Sequence, residues 1–345
     1  MNIIFIGTKT DSGYGLATES FKESFKQILN FNIHFNIKND IVNYDHNLNY
    51  DIEFLIGPPP FPSKRFGRYR IIYFYWETDT LPDHWVRNIM DSDEIWAPCN
   101  LVKDCCIKAG YKNKITIMPT PSMAFNEYKN IKLKNSISDY FLNPAYYKFY
   151  SIFQWQPRKG YNELLSAYFE EFKYGEEVVL IIKTNTIPGL DEKTIISEIK
   201  KIKNYYNSSA KVFLITEYLE NIDIYSLHNY SDCFVLPHYG EGWGMPIHEA
   251  AIFGNPVITT KFGGITEFLD SNVYWINHNM VPVSGMEWNP VYKSSQNWAR
   301  PDINSLKKNL RFCFDNKIDK NKKFLDFSIK DISSKIKERL NEIKT

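Results

Sequence analysis

The sequence has few cysteines and no surplus of charge of either sign. Its five cysteines are odd in number and show no paired CxxC spacing, which argues against a disulfide framework and against a zinc or redox site, and favours a reducing, cytoplasmic compartment. The 41 Lys and Arg residues balance 40 Asp and Glu residues, for a formal net charge of +1. No large field of one sign is then available to hold nucleic acid by electrostatics alone. A general nucleic-acid binder is therefore disfavoured.

Long apolar runs are missing as well. The amino-terminal MNIIFIG has its apolar run at residues 3–6, which is much shorter than the hydrophobic region of a secretory signal. Elsewhere the apolar runs, such as VVLII at residues 178–182, have the length of a strand, whereas a membrane helix needs about 20 residues. The sequence predicts no transmembrane segment and leaves open a weak peripheral association with a membrane.

The length and the apolar content indicate two globular domains. At 345 residues the chain exceeds the size at which a single core usually stops growing, about 250 to 300 residues. Hydrophobic residues make up 43% of the chain, which is enough for a substantial core. Short apolar runs alternate with longer amphipathic stretches, a pattern typical of βα repetition around a mainly parallel sheet. We therefore predict an α/β fold.

The two halves of the chain show this pattern separately. Strands are predicted at residues 3–6, 33–37, 54–56, 71–75, 94–97 and 116–118, with helices near residues 18–29, 82–90 and 101–109. After a polar, irregular linker at residues 125–143, further strands are predicted at residues 150–155, 178–182, 212–216, 233–236 and 256–259. The predicted domains are residues 1–143 and 144–320, followed by a helical segment at residues 321–345 that is able to pack across both.

The most informative segment is HYGEGWGMPIHEAAIFGNPVITTKFGGITEF, residues 238–268. It predicts a glycine-rich loop after a strand, and then a helix at residues 246–253 that begins with Pro246. The amino end of such a helix presents unpaired amides and a positive dipole, so it holds anionic groups, while glycines let the backbone approach closely. Glu241 in the loop and Glu249 in the first helical turn can then line one crevice. The alternative is a tight turn in which Glu249 only complements the helix dipole.

The stretch EGWGMPIHE resembles the Glu-x7-Glu signature of retaining GT-B glycosyltransferases of the glycogen-synthase and mannosyltransferase-like group, glycosyltransferase family 4-like. The following GNPVITTKFGGITEF, with Gly263, Gly264 and Glu267, and the preceding LHNYSDCFVLP are also similar to that group. The resemblance implies two Rossmann-like domains that face each other across a cleft, with C-terminal helices. It also implies an enzyme that moves a hexosyl group from a nucleotide diphosphate sugar to the hydroxyl of a carbohydrate or glycoconjugate acceptor, with no further cofactor.

The resemblance also assigns roles within this segment. Glu249 is expected to bond the ribose hydroxyls of the donor, and Glu241 is expected to face the donor sugar as a catalytic residue. Donor-binding backbone amides are expected at Gly242, Trp243, Gly244 and Met245. The chemistry supports these roles, because carboxylates accept hydrogen bonds from hydroxyls and a departing diphosphate needs its developing charge stabilised.

A second motif, FQWQPRKGYNELLSAY at residues 153–168, places Arg158 and Lys159 beside Gly160 at a predicted strand-to-helix junction. Taken alone, it is an ordinary solvated basic turn. Beside the first motif it resembles the diphosphate clamp of the same group, with Lys159 as a catalytic and donor-binding cation. The group usually has an Arg five positions before that Lys, where this chain has Gln154. Arg158 is the candidate replacement for that Arg, and the sequence does not determine whether its side chain reaches the diphosphate.

Three weaker donor-binding candidates lie outside these two motifs. GTKTDSGYGLATES, residues 7–20, puts Gly13 and Gly15 between a strand and a helix. The group has a glycine loop there that faces the donor phosphate; a flexible surface turn is the alternative, and the spacing excludes a GxGxxG or a Walker loop. Tyr218 follows a predicted strand at the position where relatives cover the nucleotide base.

The segment YWETDTLPDHW, residues 75–85, clusters aromatic rings with carboxylates after another predicted strand. This combination suits carbohydrate because the CH faces of sugars stack on rings while their hydroxyls bond carboxylates. Glu77 and Asp79 are therefore candidate catalytic residues, whereas Trp76 and Trp85 are alternatively part of the core.

The histidines show no metal-type spacing, so no metal is predicted. Two other functions stay open. One is a GT-B nucleotide-sugar epimerase or sugar phosphorylase, which would release or isomerise the donor without consuming an acceptor. The other is a catalytically silent carbohydrate-binding relative, against which the presence of both Glu241 and Glu249 argues.

Overall fold

The computed structural model describes residues 1–8, 13–37, 48–124, 145–185, 190–321 and 327–344. The chain forms two compact units, one of Met1–Met123 with Leu325–Thr345 and one of Ala124–Phe324. The predicted linker at residues 125–143 lies outside the described residues. By its contacts, the second unit begins at Ala124, whereas the sequence analysis placed the start of the second domain at residue 144. The carboxyl-terminal residues belong to the first unit.

The first unit is built on a parallel sheet. Its elements, in chain order, are β1 (Asn2–Gly7), α1 (Gly13–Lys26), β2 (Asn32–Ile37), β3 (Tyr50–Ile56), β4 (Gly67–Tyr73), α2 (Asp83–Ile89), β5 (Glu94–Ala97), α3 (Asn100–Lys108) and β6 (Lys114–Ile117). The strand order is β2-β1-β3-β4-β5-β6, and every neighbouring pair is parallel. Strand β5 is buried along its whole length, as expected of a parallel sheet covered on both faces.

The second unit repeats this architecture. Its elements are β7 (Tyr147–Ile152), α4 (Tyr161–Glu171), β8 (Val178–Lys183), α5 (Glu192–Tyr205), β9 (Lys211–Ile215), α6 (Asn221–Tyr230), β10 (Cys233–Leu236), α7 (Met245–Ile252), β11 (Val257–Thr260), β12 (Val273–Ile276), β13 (His278–Pro282), β14 (Asn297–Pro301) and α8 (Ile303–Asn316). The order β12-β11-β10-β7-β8-β9 is again parallel throughout. Helices α5 and α8 begin where Asp191 and Asp302 accept a hydrogen bond from a backbone amide in the first turn.

The centre of the second sheet is a topological switch point. From β7 the chain proceeds to β8 and β9 on one side, and then returns to β10, β11 and β12 on the other side. Ligands of open α/β sheets bind outside the carboxyl ends of the strands at such a point. The segments that leave β7 and β10 at this edge carry the two predicted motifs, so the topology and the motifs indicate the same place.

Strands β13 and β14 form an antiparallel hairpin that the sequence did not predict. A small apolar cluster of Val283, Met286 and Trp298 lies beside it, with Tyr239 packed against the cluster. The Ala299 amide also donates a hydrogen bond of 2.8 Å to the Tyr239 carbonyl. The apolar partner of the hairpin is thus a residue of the loop after β10, far away in sequence, which local periodicity does not reveal.

The carboxyl-terminal segment forms one described helix, α9 (Ile329–Lys344), which packs against α1 in the first unit. It begins where the Ser328 hydroxyl accepts a hydrogen bond from the Asp331 amide, while the Asp331 carboxylate accepts one from the Ser328 amide. Its buried side chains include Ile332, Ile336 and Leu340, as the predicted amphipathic spacing requires. None of the described helices is long and apolar enough to cross a membrane.

Most predicted elements occur, with shifted ends. Helix α1 begins at Gly13 rather than at residue 18, because two glycines in its first turn resemble a loop in the sequence. Strand β4 spans Gly67–Tyr73 rather than residues 71–75, and β7 spans Tyr147–Ile152 rather than residues 150–155. In both cases the aromatic residues after the strand extended the apparent apolar run.

Candidate functional site at the carboxyl edge of the second sheet

The loop after β7 fits closely against the loop after β10. Beyond β7 a short 3-10 helix, Pro157–Lys159, leads to Gly160, whose left-handed backbone (φ 66°, ψ 31°) opens α4. A Cβ at Gly160 would lie 1.9 Å from the Pro237 carbonyl oxygen, so only glycine fits there. The Tyr239 amide also donates a hydrogen bond of 2.8 Å to the Arg158 carbonyl. These backbone contacts bring the two motifs together.

Lys159, Arg158 and Glu241 form one charged cluster. The Lys159 ammonium donates a short hydrogen bond to Glu241 Oε1. Arg158 Nη1 lies 3.5 Å from Glu241 Oε2 and donates a hydrogen bond of 2.5 Å to the Gly240 carbonyl. Glu241 is only 6% exposed and Arg158 only 7%. The structure therefore brings together residues of the two motifs that are 82 positions apart in the sequence.

The electrostatics of the cluster keep the Glu241 carboxyl ionised. Burial raises the pKa of Glu241, but the neighbouring charges of Lys159 and Arg158 outweigh burial and lower that pKa to about 2. The carboxylate is thus ionised at neutral pH and pairs with both cations. Next to it, burial lowers the pKa of His238 to about 3, so this imidazole is neutral. Within the described part of the chain, neither ring nitrogen of His238 has a hydrogen-bond partner.

The backbone of Glu241 is fixed from the opposite side by the turn at residues 263–264. The Gly264 amide donates a hydrogen bond of 2.8 Å to the Glu241 carbonyl. At Gly263, where φ is +92°, a Cβ would lie 2.2 Å from the same carbonyl oxygen. The GG pair that follows the Glu-x7-Glu stretch therefore permits the close approach that holds Glu241 in place.

Helix α7 begins immediately after this loop. Gly244 caps it in the left-handed region (φ 80°, ψ 56°), and Pro246 lies in its first turn, as predicted. The helix spans Met245–Ile252, so Glu249 lies beyond the first turn in which the sequence placed it. The Trp243 side chain is 2% exposed and packs on Phe268 with 5.0 Å between ring centroids. Trp243 can thus face a ligand only with its backbone, as the prediction of donor-binding amides requires.

A buried hydrogen-bonded chain lies behind Glu249. His228 Nε2 lies 3.4 Å from Glu249 Oε2, and His228 Nδ1 lies 2.8 Å from the Tyr150 hydroxyl. The Asn255 side-chain amide donates a hydrogen bond of 2.9 Å to that hydroxyl and one of 2.8 Å to the His228 carbonyl. Burial lowers the pKa of His228, so the ring is neutral at neutral pH. The sequence did not indicate Tyr150, His228 or Asn255 as candidate site residues.

The position that lacks the usual arginine contributes no charge. Gln154 is exposed, and its side-chain oxygen accepts a hydrogen bond of 3.2 Å from the Gln156 amide. Arg158 instead directs its guanidinium into the cluster, towards Gly240 and Glu241. Tyr218 is 71% exposed in the segment after β9, at the same edge of the sheet.

A buried lysine that the sequence analysis missed ends β8 at this edge. Lys183 is 4% exposed, and its ammonium donates hydrogen bonds of 2.8 Å to the Thr184 carbonyl and 2.5 Å to Asn185 Oδ1. Burial lowers its pKa to about 8, against the opposing influence of Glu217. The signal available in the sequence was a lysine as the last residue of the apolar run VVLIIK.

The candidates of the first unit lie in different surroundings. Gly13 and Gly15 belong to the first turn of α1, and residues 9–12 before them lie outside the described residues. Glu77 is half-buried, whereas Asp79 Oδ2 lies 3.8 Å from the Lys108 ammonium and Asp79 Oδ1 accepts a hydrogen bond from the Thr80 hydroxyl. Asp79 is thus held within the first unit by its own neighbours.

The tryptophans of the same segment are core residues. Trp76 is 1% exposed and Trp85 is 5% exposed, and their ring centroids lie 4.8 Å apart in an edge-to-face arrangement. These rings therefore pack in the core of the first unit and are not available to stack on a sugar. In the described ranges, no three His, Cys, Asp or Glu side chains come together as a metal site.

One family model matches part of the chain. Residues 135–282 match the family model described as "Glycosyl transferases group 1", an interval that contains Lys159, Glu241 and Glu249. A search of the curated proteins finds no match to this chain.

Solved structures match over the whole chain at low sequence identity. The Anabaena protein HepE in complex with UDP and glucose is 15% identical, with a TM-score of 0.65 over 99% of this chain and 100% of that chain. A glycosyltransferase from Rickettsia africae is 14% identical, with a TM-score of 0.70 over 100% and 98%. Sucrose-phosphate synthase from Thermosynechococcus elongatus is 10% identical, with a TM-score of 0.64 over 99% and 94%. The fold is therefore GT-B-like with two Rossmann-like domains, and this prediction is confirmed.

Proposed function

We propose that the protein is a glycosyltransferase that moves a hexosyl group from a nucleotide diphosphate sugar to a hydroxyl of a carbohydrate or glycoconjugate acceptor, with retention of configuration. The observation that carries the proposal is the cluster of Lys159, Arg158 and Glu241, which lies at the switch point of the second sheet. The match of this unit to the glycosyltransferase group 1 model supports it. So does the similarity of the fold to HepE, whose structure contains UDP and glucose.

The diphosphate of the donor is the ligand that best fits the cations. The Lys159 ammonium donates to Glu241, and since it has three N–H donors it can also donate to a phosphate oxygen of the donor. As the bond to the sugar breaks, negative charge grows on the departing diphosphate, and a fixed cation stabilises that charge more in the transition state than in the ground state. Lys159 is therefore proposed as the catalytic cation.

The two glutamates have separable roles in this proposal. With a pKa of about 2, Glu241 does not donate a proton at neutral pH, and we assign it to accept hydrogen bonds from the donor sugar while it holds the cations. Glu249, supported by His228, is assigned to the ribose hydroxyls. Retention rests on the resemblance of EGWGMPIHE to the Glu-x7-Glu signature. Glu77 and Asp79 stay candidate catalytic residues.

Metal independence is also part of the proposal. Lys159 and Arg158 offer the charge that a divalent cation would otherwise bring to the diphosphate. Turnover should therefore survive excess EDTA. Loss of turnover on chelation, with recovery on addition of magnesium or manganese, would contradict this part. The cytoplasmic location stays a prediction from the sequence.

A donor screen tests the proposal. UDP-, GDP- and ADP-sugars would be compared by thermal shift and by release of the nucleoside diphosphate, with wild type and the Lys159→Ala variant. We expect one nucleotide class to stabilise the wild type and to be turned over, with turnover reduced on the order of 10- to 150-fold in Lys159→Ala. Lys148→Met serves as the control, because Lys148 is a buried lysine near the other end of β7.

The same screen separates the other functions. A phosphorylase would require orthophosphate for release, and an epimerase would isomerise the donor sugar without release. A silent carbohydrate-binding relative would be stabilised by ligand without any turnover. Absence of stabilisation by all three nucleotide classes would contradict every version of a nucleotide-sugar enzyme.

A further inference from the structure

Lys183 is a buried cation without a matching anion. Its ammonium bonds only to two neutral acceptors, the Thr184 carbonyl and Asn185 Oδ1, and it makes no ion pair with any described carboxylate. Glu217 favours its charged form from outside ion-pair distance. Burial of an ammonium is unfavourable unless it is compensated, so buried cations normally have an anionic partner. A partner from outside the chain would supply this compensation.

The location of Lys183 points to the proposed donor site. Lys183 ends β8 and lies opposite Ile152 of β7 in the parallel register. The Phe153 amide donates a hydrogen bond of 3.1 Å to the Lys183 carbonyl, which places Lys183 beside the residue that precedes Gln154. Gln154 stands where the resemblance implies an Arg, so that position brings no charge to this edge. A lysine on the neighbouring strand thus reaches the same edge of the sheet beside the position of the missing charge.

Two neighbours complete the arrangement. Thr184 is 2% exposed, and its hydroxyl has no hydrogen-bond partner in the described part of the chain. Asn185, in contrast, is exposed, so its side-chain oxygen covers the Lys183 ammonium without being fixed in a core. An anionic oxygen can replace the Asn185 oxygen on the ammonium at little cost and would find the Thr184 hydroxyl nearby as a further donor.

We propose that Lys183 is a second cationic contact for the diphosphate of the donor nucleotide, with Asn185 as the group that the ligand displaces. The inference rests on the proposed function. Charge complementarity supports it. Lys183 brings a positive charge to the edge of the sheet at which Lys159 and Arg158 also lie. The diphosphate linkage of a nucleotide sugar carries two negative charges at neutral pH, so it is attracted by cations at this edge.

Titration calorimetry with UDP and uridine tests this role. The wild type is compared with Lys183→Met, which keeps the length of the side chain and removes its charge. Lys148→Met is the matched control, because Lys148 is also a buried lysine, 7% exposed, and lies near the amino end of β7. We expect Lys183→Met to weaken UDP binding on the order of 10- to 100-fold, while uridine binding changes less than about twofold. Lys148→Met should leave both affinities unchanged.

The outcomes separate this inference from the proposed function. If the wild type binds UDP and Lys183→Met binds it equally well, Lys183 does not contact the diphosphate and the inference is wrong, while the proposed function stands. Equal losses for UDP and uridine would place Lys183 on the nucleoside, which also overturns it. If the wild type binds none of UDP, GDP and ADP, both proposals fall. Lys183→Gln is the second variant should Lys183→Met not fold, and the melting temperature of each variant checks folding.

Discussion

His228 Nε2 lies 3.4 Å from Glu249 Oε2, while the other ring nitrogen, Nδ1, contacts the Tyr150 hydroxyl. The Asn255 amide donates to the Tyr150 oxygen, so the single hydroxyl proton of Tyr150 is available for His228 Nδ1 at 2.8 Å. We infer that Tyr150 donates to Nδ1, and in that arrangement the proton of the neutral ring lies on Nε2, the nitrogen that faces Glu249. A carboxylate oriented in this way keeps one geometry for a ligand that bonds to its remaining lone pairs.

Replacing His228 with Phe should weaken the contact between Glu249 and the ribose. The ring volume is kept, but the N–H that faces Glu249 is lost, so we expect UDP affinity to fall about 3- to 10-fold. The fall should disappear when the ligand is 2',3'-dideoxy-UDP, which has no ribose hydroxyls. Tyr150→Phe, which frees the tautomer, should show part of the effect. Equal losses for the two nucleotides would mean that His228 acts only on folding.

Substitution of Gly263 should cost more than a left-handed backbone alone explains. Gly263→Ala places a Cβ 2.2 Å from the Glu241 carbonyl oxygen at φ +92°, whereas Gly175→Ala at φ +89° meets no atom within 4 Å. The control variant should lose about 1 to 2 kcal/mol from backbone strain, and Gly263→Ala at least ~2 kcal/mol more. Urea unfolding measures both. Similar losses in the two variants would show that the turn gives way without disturbing Glu241.

Arg339 should be essential for attaching α9 to the first unit. Its guanidinium donates 2.7 Å and 2.9 Å hydrogen bonds to Glu94, a carboxylate with 0% exposure. Arg339→Met leaves that buried charge without its partner, which typically costs about 3 to 5 kcal/mol. Lys26→Met, which breaks an exposed pair with Glu23, should change the unfolding free energy by less than about 0.5 kcal/mol. Glu94→Gln in the Arg339→Met background should restore part of the loss; no loss in Arg339→Met would contradict the attachment.

The buried histidines should make the second unit sensitive to mild acid. Burial lowers the pKa of His238 and of His248 to about 3, and it lowers that of His228 as well. Below the unfolded pKa of about 6.5 the unfolded chain binds protons that the folded chain does not, so stability is present above pH 6.5 and is lost as the pH falls towards 3. The loss approaches about 1.4 kcal/mol per pH unit for each histidine.

Denaturant unfolding at pH 7.5, 6.5 and 5.5 measures this slope. Glu241 does not contribute to the change in stability between pH 7.5 and 5.5. Because its pKa is lowered, its contribution to the folding free energy is lost only below about pH 4.5. His248→Gln should reduce the dependence of the unfolding free energy on pH by the contribution of one histidine. A stability that does not change between pH 7.5 and 5.5 would show that the histidines protonate in the folded state.

Sequence alone could place the strands and the two motifs at strand ends, because these depend on local patterns. Alternating apolar runs locate the strands, and motifs at strand ends converge wherever a parallel sheet orders its carboxyl ends. The sequence did not indicate Lys183 as a candidate site residue. Its position at the site depends on β8 lying next to β7, and strand order cannot be inferred from local patterns. The His228–Tyr150–Asn255 chain was missed for the same reason, since its members come from three elements that only the folded sheet brings together. The β13–β14 hairpin packs on Tyr239 from the loop after β10, a non-local contact that no local periodicity predicts.

The central claim is that a nucleotide diphosphate sugar binds at the carboxyl edge of the second sheet with its diphosphate on Lys159. A crystal structure with the nucleoside diphosphate that stabilises the protein most tests this claim directly. We expect a phosphate oxygen within hydrogen-bond distance of Lys159 Nζ, roughly 2.7 to 3.2 Å, and the ribose hydroxyls on Glu249. A nucleotide bound elsewhere, or one whose diphosphate points away from Lys159, would contradict the account.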